Sequence, residues 1–125
     1  MRGPVFQIIF NEISAAEISR LPTLMQLELL DEFKVTPDDL ENSDGDRFGS
    51  IDRKGKKLYR FRAHVYRIYF AVEEGNVVVH RVLHKNTFQD FLYRATNLPL
   101  HEDEALRDSK HFWELIEEGE NARRA

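Results

Sequence analysis

The sequence predicts an α+β fold whose strands form one antiparallel sheet. Three observations point there. The chain has 125 residues, enough for one domain with a modest core. Its strand-like runs gather in the middle, separated by turn residues, and its helix signals fall on either side of them. The apolar fraction of 42% and charged fraction of 32% are those of a soluble globular protein.

In chain order, Phe6–Phe10 reads as a short strand. Ser14-Ala-Ala-Glu17 has the form of a capping box, so a helix is expected from about Ala15 until Pro22 stops it. Thr23 is the expected cap of a second helix, with Leu24, Leu27, Leu30 and Phe33 as its apolar stripe. Together these helices make a hairpin. Lys34 to Asp46 is acidic and rich in turn residues, which predicts a surface loop. Four strands follow: Phe48–Asp52, Lys57–Arg62, Tyr66–Val72 and Val77–Leu83, with Gly55 and Glu74-Gly75-Asn76 marking two turns. A short helix is expected over Thr87–Ala95. A final one should span Lys110–Glu118, capped by Ser109, with Trp113 on its buried side.

With no cysteine there is neither a disulfide framework nor a thiolate metal site. The first residues offer no signal peptide, and no apolar run approaches the roughly 20 residues of a membrane helix. A cytoplasmic protein without membrane association is the expectation. The net charge of −4 hides a division. Residues 1–46 hold 3 basic and 10 acidic side chains (net −7), residues 47–94 hold 11 and 4 (net +7), and residues 95–125 hold 4 and 8 (net −4). An anionic partner would bind the middle.

Within that middle, Tyr59–Phe70 places three arginines among five aromatic residues. Apolar residues fall on odd numbers up to Phe61 and on even numbers from Tyr66, so a tight turn near Ala63-His64 must change the phase. With Phe61 opposite Tyr66, Arg60 faces Arg67, and Arg62 shares their side of the sheet. If the next turn keeps parity, the following strand adds His80, Val82 and His84 to that side; otherwise Arg81 and Lys85 join it. Such a side is usually the solvated face of an antiparallel sheet. Opposed like charges, however, cost up to roughly 1 kcal/mol, which a carboxylate or a bound phosphate would relieve.

Other chemistry finds little support. His80 and His84 on one strand would lie about 13 Å apart, too far for a shared metal ion. There is no Gly-x-Ser-x-Gly and no glycine-rich nucleotide loop. No cofactor and no metal are expected.

The stretches LYRFRAHVYRIYF and NVVVHRVLHKNTFQDFLYR, with the pattern YR-x-R-x(3)-YRI, resemble the RelE/ParE superfamily of bacterial type II toxins. The resemblance covers Phe48 to about Arg94, and the strand–helix–helix order before it extends it. It implies a toxin domain over residues 1–95, followed by an acidic helical extension over residues 96–125 packed on or near it.

The resemblance further implies a cognate antitoxin as partner and, for RelE-like members, cleavage of mRNA on the ribosome. In that metal-independent reaction a ribose 2′-hydroxyl attacks the adjacent phosphate, and translation is inhibited. Carried over by position, Arg67 matches the catalytic arginine, Arg60 a functional lysine, and Lys85 a late arginine. Tyr93, or Phe91 if the spacing is read strictly, matches a late tyrosine. Arg62, Lys56, Lys57, Arg81 and His84 would contact RNA. The same resemblance admits a non-catalytic member, such as a ParE-like gyrase inhibitor, or a peptide-binding module. The tail admits two readings. One is a helix packed by Phe112, Trp113 and Ile116 that caps one end of the domain, which is the commoner role of such an aromatic pair. The other is a mask in which Glu114, Glu117, Glu118 and Glu120 fold back on the basic middle and compete with RNA, so that deleting Ser109–Ala125 would leave a folded, tighter-binding protein.

Overall fold

The computed structural model describes residues 5–43, 45–89, 92 and 102–125. Strand β1 (Gln7–Phe10) leads into helices α1 (Glu12–Ser19), α2 (Thr23–Glu32) and α3 (Pro37–Glu41). Strands β2 (Phe48–Arg53), β3 (Lys56–Ala63), β4 (Tyr66–Glu73) and β5 (Asn76–His84) follow, then a 3₁₀ turn over Lys85–Phe88. Helices α4 (Glu102–Arg107) and α5 (Lys110–Glu120) close the described chain. The fold is α+β, with one five-stranded sheet in the order β1-β5-β4-β3-β2. Its four consecutive strands β2 to β5 are antiparallel, and β1 joins β5 in parallel.

The sheet has two covered faces. Phe48, Phe61, Ile68, Phe70, Val77, Val79 and Val82 pack with Ile18, Leu29, Phe33 and Val35 from the N-terminal helical layer. On the other face Ile51, Leu58, Tyr69 and Leu83 pack with Leu106 of α4 and with Phe112, Trp113 and Ile116 of α5. Ser109 caps α5, its hydroxyl accepting from Phe112 N at 3.2 Å, and Trp113 is buried, both as the sequence predicts.

Several elements depart from expectation for local reasons. The N-cap of α1 is Asn11, and Ser14 sits at the third helical position: Asn11 Oδ1 accepts from Ser14 N at 2.7 Å, and Ser14 Oγ accepts from Asn11 N at 3.0 Å. Asn11 outcompetes Ser14 because its amide also bridges elements, donating to the carbonyls of Val79, His80 and Gly119. Thr36 begins a capping box with Asp39 and Pro37 takes the first helical position, so α3 forms where a loop was expected. In α2 the expected stripe is only partly right. Phe33, just past its C-terminus, is buried with Leu29, whereas Leu24, Leu27 and Leu30 are exposed. The helix expected over Thr87–Ala95 lies largely outside the described residues.

Two hairpins set the register that matters. His64 and Val65 form a two-residue turn, with His64 at φ 55°, and Ala63 pairs with Tyr66. Arg67 therefore faces Arg62, and Arg60 faces Tyr69. The expected Arg60–Arg67 opposition is corrected by one pair of residues along the strand. At the next turn Glu73 pairs with Asn76, which keeps parity, but a bulge then leaves His80 as the extra residue. Beyond it Arg81 and Leu83 share the face of Tyr69 and Arg67.

Candidate functional site

The register gathers Arg60, Arg62 and Arg67 on the face covered by α4. Arg60 is 2% exposed and its guanidinium is fully engaged. Nε and Nη2 donate to the two carboxylate oxygens of Asp103 at 3.1 and 2.8 Å. Nη1 donates to the carbonyls of Asp46 and Arg47 at 2.8 and 3.2 Å, and Nη2 reaches that of Gly45 at 3.4 Å. Gly49, directly opposite on β2, leaves room for this: a Cβ there would run into the guanidinium and Asp103. Such a bidentate, buried pair positions the loop before β2 and the start of α4.

Arg62 and Arg67 form the facing pair. Arg67, 8% exposed, donates from Nε to Glu102 Oε1 at 3.2 Å and from Nη1 to the carbonyls of His64 and Tyr66, each at 3.1 Å. Arg62 is the most open of the three, its side chain 29% exposed. Its Nη2 lies 3.5 Å from Glu102 Oε2, and its Nη1 lies 4.0 Å from the well-exposed Asp46 carboxylate. Arg62 Nε is buried and has no hydrogen-bond partner among the described residues. Burial first, then the charges of Arg60 and Arg67, hold the Arg62 guanidinium below its ordinary pKa. Nearby, burial first and then the charges of Glu102 and Asp103 push the Tyr69 phenol up.

The remaining expected site residues are spread. Arg81 on β5 shares this face, opposite Tyr69, but is held away from the arginine pair by other partners. Its Nη2 pairs with Glu17 of α1 at 2.9 Å, and its Nη1 pairs with Glu118 at 3.2 Å and donates to the Leu115 carbonyl at 3.1 Å. Lys56 and Lys57 begin β3, five or six residues and so roughly 15–20 Å from Arg62. Lys56 pairs with Glu120 at 3.0 Å and Lys57 stands over the Tyr59 ring. His84 caps the 3₁₀ turn, its Nδ1 accepting from Asn86 N at 3.0 Å, and its ring meets Tyr66 edge-on. Lys85 is exposed at the same end of the sheet as Arg67, where its backbone N donates to Val65 O. Tyr93 and Phe91 lie outside the described residues.

Glu102 and Asp103 were not among the expected site residues. Their signal was present: Glu102-Asp103-Glu104 is the first acidic run after the basic middle, and the opposed arginines need an anion. The expected counter-charges from α5 do reach the middle segment, through Glu118 and Glu120, but at Arg81 and Lys56 rather than at the arginine pair.

The site can hold an anionic group bearing several oxygens, because two guanidiniums meet a single carboxylate between them. No protein-family model and no curated protein matches the sequence. Among solved structures, the chain is similar to the toxin–antitoxin complex RelBE2 of Mycobacterium tuberculosis, at 17% identity over 65% of this chain and 99% of that one, with a TM-score of 0.49. It is also similar to the RelB–RelE antitoxin–toxin complex of Methanococcus jannaschii, at 20% identity over 66% of this chain and 96% of that one, with a TM-score of 0.44.

Proposed function

We propose that the chain is the toxin of a type II toxin–antitoxin pair and acts as a RelE-like, ribosome-dependent mRNA endonuclease that inhibits translation. The observation that carries this reading is the Arg62–Arg67 pair, two guanidiniums facing each other across β3 and β4. Opposed like charges cost a sheet up to roughly 1 kcal/mol unless an anion lies between them, the place Glu102 takes here. A phosphodiester in transit to a pentacoordinate state gains a great deal from both.

In the proposed reaction the ribose 2′-oxygen forms a bond to phosphorus as the bond from phosphorus to the 5′-oxygen breaks. The 2′ proton passes to a base, the leaving oxygen takes a proton from an acid, and a 2′,3′-cyclic phosphate remains. Arg67 and Arg62 would hold the non-bridging oxygens and offset the added negative charge. Arg60, committed to Asp103 and three carbonyls, would anchor the loop before β2 and the start of α4 beside Arg62 rather than touch RNA. Lys85 and Tyr93 keep the roles implied by position, as cation and as stacking or proton-transfer group. Lys57, Lys56, Arg81 and His84 would contact flanking RNA.

Induction of the chain in a bacterial host tests the reading. Protein synthesis should stop within minutes while DNA synthesis continues, and co-expression of the cognate antitoxin should restore growth. Arrest of DNA synthesis with translation intact would indicate a gyrase-directed protein. Unimpaired growth would favour a peptide-binding module.

A further inference from the structure

Glu102 occupies the arginine pair in the manner of a phosphate. One carboxylate oxygen accepts from Arg67 Nε at 3.2 Å, and the other lies 3.5 Å from Arg62 Nη2, so a single anion bridges both cations. Two non-bridging oxygens of a phosphodiester can span two guanidiniums in the same way. The match is incomplete on one side. Arg62 Nε is buried without a partner among the described residues, and both Glu102 oxygens are already placed. A phosphate brings additional oxygens and could satisfy that donor, which a carboxylate leaves open.

The neighbouring contacts show why this one side chain can yield. Helix α4 is anchored independently of Glu102, by Leu106 at 0% exposure in the second core and by Asp103 on Arg60. Rotation of the Glu102 side chain would clear the pair and leave the helix docked. Arg62, with 29% of its side chain exposed, offers the approach from solvent.

We infer that Glu102 is a built-in competitor: it fills the phosphate position of the Arg62–Arg67 site in the resting chain and is displaced by an RNA phosphodiester. The ligand's identity rests on the function proposed above; the occupancy of the site by Glu102 does not. A tethered group competes at an effective concentration in the millimolar range, so removing its charge should raise RNA affinity on the order of tenfold.

The test compares wild type with Glu102→Gln, which keeps the shape but removes the charge and one of the two acceptor oxygens, and with Glu102→Asp, which keeps the charge but draws it back. A short fluorescent single-stranded RNA and inorganic phosphate serve as probes. Phenylglyoxal labelling, read by peptide mass, reports access to Arg62 and Arg67, and thermal melting confirms that each variant is folded. The expected result is tighter RNA binding by Glu102→Gln, a smaller gain for Glu102→Asp, and faster arginine labelling that RNA suppresses. Equal RNA affinity and equal labelling in all three folded proteins would overturn the inference. If labelling and phosphate binding rise in Glu102→Gln but RNA still fails to bind, the competitor role is supported, and the RNA reading falls alone.

Discussion

Arg60 and Arg67 carry the same group and stand on adjacent strands, but they are held in different ways. Arg60 finds every donor a partner inside the protein, two of them on Asp103, and its side chain is 3% exposed. Replacing Asp103 by Ala would leave that cation buried without a counter-charge, and breaking such a pair costs about 3–5 kcal/mol. Urea denaturation should show this loss; a change below about 1 kcal/mol would mean that the carbonyls alone suffice. The alternation also predicts Arg60 opposite Arg67, and the register places Tyr69 opposite Arg60 instead. The alternation of polar and apolar residues showed which arginines share a face. It could not show the turn's length, because a two-residue turn at His64-Val65 and a longer one both allow the same alternation. A positive φ at His64, a residue other than glycine, settles the shorter turn in the structure.

At the scale of elements, the strands were legible because their alternation is strong and two of their three hairpin turns carry glycine, Gly55 and Gly75. Helix α2 was harder. Its leucines at 24, 27 and 30 are spaced by three and form a row, yet a straight helix repeats every 3.6 residues, and the row at 29 and 33 is the one that turns inward. Which row is buried depends on what α2 packs against, and that is tertiary information. Leu29→Ala should therefore cost about 2–5 kcal/mol, whereas Leu27→Ala should stay within about 0.5 kcal/mol. Equal losses in denaturant melts would contradict this orientation of the helix. The bulge in β5 was also invisible. Val77-Val78-Val79-His80-Arg81-Val82 contains no glycine to mark it, and it forms where the His80 backbone meets Asn11 and Gly119. A Cβ at Gly119 would collide with the His80 carbonyl, so the close approach of α5 to the sheet depends on that glycine.

For the whole molecule, the division of charge along the chain indicated that its acidic C-terminal part would meet the basic sheet. It did not indicate which helix would supply the contact at the arginines. That helix is α4, and α5 is tied into the core through Phe112, Trp113 and Ile116. A detachable acidic mask would leave a folded protein on removal of Ser109–Ala125, whereas a packed helix would not. The burial of Phe112, Trp113 and Ile116 supports the packed helix. Losing a buried Phe or Trp side chain costs about 3–5 kcal/mol each, and a domain is stable by only about 5–15 kcal/mol. The truncated chain should be insoluble or lack a cooperative melting transition; a soluble, cooperatively unfolding product would contradict the two-faced core.

The central claim, that the Arg62–Arg67 pair acts on RNA phosphate, is tested most directly by the ends of cut mRNA. Wild-type protein and Arg67→Lys are added to a bacterial translation extract, and the cleavage fragments are mapped and their termini analysed. Lysine keeps the charge but loses the fork that bonds two oxygens at once. The account predicts fragments ending in 2′,3′-cyclic phosphate with wild type, and a loss of cleavage rate on the order of 10²–10³ for a folded Arg67→Lys protein, by analogy with removing one oxyanion donor. Undiminished cleavage by Arg67→Lys, or intact mRNA with both wild type and Glu102→Gln, would contradict it.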